Sequence, residues 1–242
     1  MSFNLYLYAI LIFSAAFLGG VFPILYRSEN ENHLKIFISF GAGLLLSMSF
    51  LHMIPEALKL VPNSSGLWLL TGFCLLLFLE RFIMVHACEE HGCHYHTIGI
   101  AAFVGLTIHG IIEGFALASS QMVTNLGPLV LLAIVSHKAP AGIALTSILK
   151  MSKKKNPQIL QFVIGVALSG PLGIFLAYWI LRSEYYSSTA GILLSISAGT
   201  FLYIGACDLL PEIHRTDGEK LKRLVAFCLG IFTTILSGYL FD

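Results

Sequence analysis

The chain has 242 residues, 57% hydrophobic and 11% charged, with a formal net charge of +1. A soluble domain usually carries about 25% charged residues, so this balance excludes a sizeable soluble domain, and the near-neutral charge points away from nucleic acid. The five cysteines are scattered, with only Cys88 and Cys93 close together, which argues against a disulfide framework.

Apolar stretches of about 20 residues, each long enough to cross a bilayer as a helix, recur along the whole chain. They predict an all-α integral membrane protein with eight transmembrane helices, over residues 4–26, 34–58, 66–86, 97–120, 126–149, 158–181, 188–211 and 221–241. The first run lacks a basic start and is expected to persist as the first span. Lysine and arginine sort between the two sides. One side holds Arg27, Lys35, Arg81, Lys150, Lys153, Lys154, Lys155, Arg215, Lys220, Lys222 and Arg223, and the other only Lys59 and Arg182. The positive-inside rule makes the first side cytoplasmic and puts both termini outside. Lys138 belongs to neither side and falls within helix 5.

Helix 2 ends in HMIPEAL. His52 and Glu56 lie about one turn apart toward its outer end, a spacing suited to weak metal capture. Asn63 follows in an outside-facing Asn-Ser-Ser sequon. The cytoplasmic loop over 86–96, between helices 3 and 4, gathers His86, Cys88, His91, Cys93, His94 and His96, and histidine-rich tracts commonly bind metal. Helix 4 carries HGIIEG. His109 and Glu113, four residues apart, share one helical face and can hold one ion together. His137 in helix 5 is expected to supply a third ligand. Ionisable residues at mid-bilayer are expensive and mark function by default. Two imidazoles and a carboxylate suit Zn²⁺, and three protein ligands plus water form an open, exchangeable site. Nitrogen ligation argues against Mg²⁺ and Ca²⁺ but leaves Fe²⁺, Mn²⁺, Cu²⁺ and Cd²⁺ open. Lys138 puts a positive charge where a second metal would otherwise bind, so one central site is expected rather than two. The lysine can pair with Glu113 or another acid, or lose its proton on burial. Toward the inner end of helix 7, Asp208, Glu212 and His214 form a candidate exit.

Two internal echoes organise these elements. Helix 2 matches helix 7 at an offset of 156, pairing Ala42 with Ala198, Gly43 with Gly199, Leu46 with Leu202, Pro55 with Pro211 and Glu56 with Glu212. The two helices cross in opposite directions, as an inverted repeat requires, and such repeats typify secondary transporters. Helix 4 matches helix 5, pairing His109 with His137, Gly114 with Gly142, Ala116 with Ala144, Leu117 with Leu145 and Ser119 with Ser147. A 3+2+3 arrangement follows, with the central pair at the pseudo-symmetry axis.

Taken together, HGIIEG, HKAPAG, SGPLG (169–173) and the HMIPEA and DLLPEI helix ends resemble the ZIP (Zrt/Irt-like protein) family of divalent-metal transporters, over nearly the whole chain. The resemblance implies a single transmembrane domain over 1–242 that moves metal toward the cytoplasm between helices 4 and 5. It implies His109, Glu113 and His137 as the primary ligands, and access that alternates as one helix group slides against another. Where many members have a proline this chain has Ile112, and at positions where an acid, or Asn or Asp, is common it has Lys138, Ala141 and Gly110. The acidic second site of binuclear members is therefore absent. The pattern is similar to the branch with His-Lys in helix 5, which favours zinc over iron and manganese.

The expected activity is import of Zn²⁺, captured near His52 and Glu56, dehydrated at the central residues and released past Asp208, Glu212 and the histidine loop. Zinc is then a transported substrate, with no organic cofactor and no enzyme activity. The partners are the divalent ion and the lipid bilayer, with homodimer formation left open. The expected location is a plasma membrane or a bacterial inner membrane. Ligand histidines bind only when neutral, so uptake is expected to weaken in acid unless protons drive release. The rival is an intramembrane zinc hydrolase with Glu113 activating water, but no HExxH motif appears. A zinc exporter would need six spans and a cytoplasmic metal-binding domain, and neither fits.

Overall fold

The computed structural model describes residues 3–26, 31–84, 93–120, 126–180, 186–211 and 219–241. Among these residues there are eight long helices and no strand. Helix α1 is Phe3–Leu25. Helix α2 runs Glu31–Leu60, with a π-helical segment at Ser49–Met53. Helix α3 is Ser65–Phe78, extended by π-helical Leu79–Met84. Helix α4 is Cys93–Ser120, α5 is Leu126–Met151 and α6 is Asn156–Ile180. Helix α7 is Tyr186–Leu202, continued by π-helical Tyr203–Leu209, and α8 is Lys220–Phe241. Seven of the eight, all but α3, are long and apolar enough to cross a bilayer over the described residues. The protein is an all-α integral membrane protein.

The main departure from the expected boundaries is at α4, which starts at Cys93 instead of residue 97. Cys93, His94 and His96 therefore belong to its first turn and not to a loop. Helix α2 begins three residues earlier than expected because Glu31 stands in its first turn, where a carboxylate is favoured by the helix dipole.

The π segments of α2 and α7 each end two residues before a proline, at Pro55 and Pro211. Proline donates no hydrogen bond and its ring crowds the carbonyl one turn back. A widened turn relieves that crowding. In α2 it leaves Pro55 in the first turn of the α-helical segment Ile54–Leu60, where a missing N–H costs nothing.

The helices pack as two groups. Helix α4 lies mainly along α6, and α1 along α5 and α6. In the other group α2 lies along α8, and α3 along α7. The groups meet where α2 lies against α5, α4 against α7 and α8 against α5. The inner helices α2, α4, α5 and α7 are 59–67% buried over their apolar windows, against 28–44% for α1, α6 and α8. The outer helices turn large apolar side chains such as Ile10, Leu18, Phe175, Leu229 and Phe232 outward, as a lipid-facing surface requires.

Close backbone approaches through glycine reproduce the inverted repeat. A Cβ on Gly43 would fall within 3.0 Å of the Phe227 carbonyl on α8, and one on Gly199 would meet the Leu69 carbonyl on α3 in the same way. Gly230 against Phe40 has its counterpart in Gly72 against Ile196. In the other group Gly19 against Ala139 mirrors Gly173 against Ile111, and Gly142 against Ala16 mirrors Gly114 against Gly170. These pairs match α1 to α6 and α3 to α8, relations with no visible echo in the sequence. Small residues at such crossings let membrane helices approach closely enough for van der Waals packing to hold them.

Candidate metal centre

The centre is built on α4 and α5, neighbours in the first group. His109 and Glu113 lie one turn apart on α4, and His109 Nε2 is 2.8 Å from Glu113 Oε1. His137 reaches the same carboxylate oxygen from α5 through its Nε2. All three are buried, at 4%, 7% and 7% exposed. One ligand atom from each lies within 4.8 Å of the other two, the one such group of three among the described residues. Around a tetrahedral zinc with bonds of about 2.0 Å the donors stand roughly 3.3 Å apart, so small outward movements suffice to admit an ion. Two nitrogens and one oxygen then leave a coordination position open.

The other carboxylate oxygen is taken. Glu113 Oε2 pairs with the ammonium of Lys138, itself 4% exposed. Of the roles open to this lysine, pairing with Glu113 is the one observed. It leaves Oε1 as the oxygen that faces both imidazoles. Gly110 makes room for the lysine: a Cβ there would lie 3.1 Å from Lys138 Nζ and would collide with Ser169 Oγ on α6. Gly110 and Lys138 thus fit one another, the ammonium lying beside space that a side chain at 110 would enter.

The second helix group closes the other side. His109 Nδ1 lies 3.1 Å from Ser197 Oγ on α7, and the Phe201 ring packs on the imidazole with centroids 4.3 Å apart. Neither residue stands out in the sequence, where both read as ordinary small or aromatic members of an apolar helix.

The other candidate residues are spread toward the two ends. His52 sits in the π segment of α2 and its Nε2 is 3.3 Å from the Thr234 carbonyl of α8. Glu56 is exposed and pairs with Lys59 at 2.9 Å on its own helix. Asp208 sits in the π segment of α7 at the repeat position of His52. It is 4% exposed, and its Oδ2 has no hydrogen-bond partner among the described residues. Nearby, the Tyr203 hydroxyl donates to Glu80, an acid in the π segment of α3 that sequence reasoning did not single out. Glu212, His214, His86, Cys88 and His91 lie outside the described residues, and so do the side chains of Cys93, His94 and His96.

Comparison with known proteins bears on the chain as a whole. The family model described as ZIP zinc transporter matches in two overlapping segments, residues 3–91 and 85–238. The chain belongs to the ZIP zinc transporter family. This ZIP chain is 29% identical over 255 residues to the zinc transporter ZIP13 of Pongo abelii, covering 93% of this chain and 76% of that one. It is 24% identical to the zinc transporter ZIP9-B of Xenopus laevis, covering 86% of each, and 25% identical to human ZIP13, covering 93% and 79%. The family is one of transporters, not enzymes, so the buried His/Glu/His group belongs to a transport protein and not to a hydrolase.

Proposed function

We propose that this protein carries Zn²⁺ across the membrane, and that His109, Glu113 and His137 are the residues through which the ion passes. The observation that carries the reading is the convergence of two buried imidazoles on one buried carboxylate oxygen at the seam of two helix groups. An ion entering there replaces the contacts between Glu113 and the imidazoles with metal bonds. Lys138 holds the remaining oxygen and keeps the site to a single ion. Nitrogen-rich ligation favours transition metals over Mg²⁺ and Ca²⁺, and the similarity to the His-Lys branch points to zinc among them.

Transport is import by alternating access, with the positive-inside rule setting the cytoplasmic side. His52 and Glu56 receive the ion on the outer side. Asp208, with Glu80 beside it, leads from the centre toward Glu212, His214 and the histidine-rich segment over 86–96. The carrier is expected in a plasma membrane or a bacterial inner membrane, with both termini outside.

The test is ⁶⁵Zn²⁺ entry into liposomes holding the purified protein, beside His109→Ala and Glu113→Ala. Entry with the wild type and at least a tenfold loss in both variants is expected. Variants that transport as fast as the wild type would overturn the assignment of the site.

A further inference from the structure

We propose that Ser197 is a positioning residue for zinc, one that ties a metal ligand on one helix group to the backbone frame of the other. The inference rests on the reading of His109 as a ligand. His109 sits on α4 in the first group, and Ser197 sits on α7 in the second. Their side chains meet at 3.1 Å, Nδ1 to Oγ, and Ser197 is fully buried. With Nε2 directed at Glu113 Oε1, Nδ1 is the nitrogen left over. When Nε2 holds an ion, Nδ1 carries the ring proton and donates it to Ser197 Oγ. Ligand imidazoles are commonly oriented this way, through a hydrogen bond on the nitrogen the metal does not use.

The placement across the seam separates this contact from an ordinary packing hydroxyl. Ser39, Ser147, Ser169 and Ser195 are also buried in helices, but each gives its hydroxyl to a carbonyl of its own helix, three or four residues back. Ser197 instead faces an imidazole on another helix. The repeat makes the point a second time. The counterpart of Ser197 in α2 is Gly41, which offers no hydroxyl and packs against Ala144 of α5. The two halves are therefore alike in backbone here and unlike in this side chain. Ser197 fixes the orientation of the His109 ring only while α4 and α7 keep this register. A shift of one group past the other removes the bond and frees the ring, which weakens the hold on the ion at the step where release is needed.

The experiment is zinc entry into liposomes as a function of zinc concentration, for the wild type, Ser197→Ala, Ser197→Thr, Ser195→Ala and His109→Ala, with a thermal midpoint for each. Ser197→Ala is expected to raise the half-saturating zinc concentration about tenfold, the lower end of the usual cost of losing such a partner, with its thermal midpoint close to that of the wild type. Ser197→Thr keeps a hydroxyl and is expected to recover most of the loss. Ser195→Ala is expected to leave half-saturation unchanged. The proposal is overturned if Ser197→Ala saturates like the wild type, or if Ser195→Ala shifts saturation as far as Ser197→Ala does. If His109→Ala itself transports normally, the failure lies with the ligand assignment and not with Ser197 alone.

Discussion

At the scale of single residues, the centre is a balance of charge in a place that tolerates little of it. A carboxylate at mid-bilayer costs about 2.5–3.5 kcal/mol on insertion scales. Glu113 meets that cost with two imidazoles on one oxygen and an ammonium on the other. Removing one member of a buried ion pair typically costs about 3–5 kcal/mol because the partner is left uncompensated. Lys138→Met should therefore lower the thermal midpoint of the zinc-free protein, by several degrees or more. Added zinc restores positive charge beside Glu113, so its stabilising effect should be larger in Lys138→Met than in the wild type, following the ordinary linkage between binding and stability. Thermal unfolding in detergent with and without zinc measures both. Equal zinc stabilisation in the two proteins would mean that Lys138 does not share the carboxylate with the ion.

At the scale of the elements, glycine sets how near the helices approach and proline sets where they widen. Gly199 lies against the backbone of α3, where a Cβ would come within 3.0 Å of the Leu69 carbonyl and the Phe73 amide nitrogen. Backbone atoms cannot swing aside, so Gly199→Ala is expected to destabilise by about 1–3 kcal/mol, the usual cost of overpacking. Gly66, at the start of α3, has nothing within 4 Å of the same added carbon. Gly66→Ala should be neutral or stabilise by up to about 1 kcal/mol through helix propensity alone. The two variants compared by thermal unfolding separate close approach from propensity. The π segments of α2 and α7 belong to this scale too. Each widens a turn ahead of a proline and carries His52 or Asp208 at matching repeat positions. Such single-turn widenings often occur at functional sites.

At the scale of the whole molecule, two helix groups meet along seams, and the centre sits on one group while the other covers it. A second contact across the seams joins Ser136 of α5 to Ser237 of α8, whose hydroxyl oxygens are 3.0 Å apart. Ser136 directly precedes His137, so this contact lies close to the centre. Transport by relative movement of the groups must break it. In a chain whose five native cysteines are replaced by serine, Ser136→Cys with Ser237→Cys should form a disulfide on oxidation. Zinc entry should then fall to the level of empty liposomes and return on reduction. Undiminished transport with the cross-link in place would show that the two groups need not part there.

The sequence by itself determined the membrane class, eight helices, the inverted echo of α2 and α7, and the His109–Glu113–His137 set. The physical reason is that these are local or periodic features: an apolar run of fixed length, a four-residue spacing on one helical face, and a proline–glutamate ending that occurs twice. A buried charge in an apolar run also announces itself, which is why Lys138 was visible. Its partner was legible only as a choice, Glu113 or another acid within reach of a long side chain, and the packing of α4 against α5 brings Lys138 to Glu113. The tertiary structure alone decided the symmetry of α1 with α6 and of α3 with α8. That symmetry is carried by which backbones approach, and a glycine in an apolar helix does not by itself show which backbone it will meet. It alone decided the roles of Ser197, Phe201 and Glu80 as well. A serine, a phenylalanine or a helix-end glutamate has no signature in an apolar helix until the neighbouring helix is in place, and what each does depends on the atom it then faces.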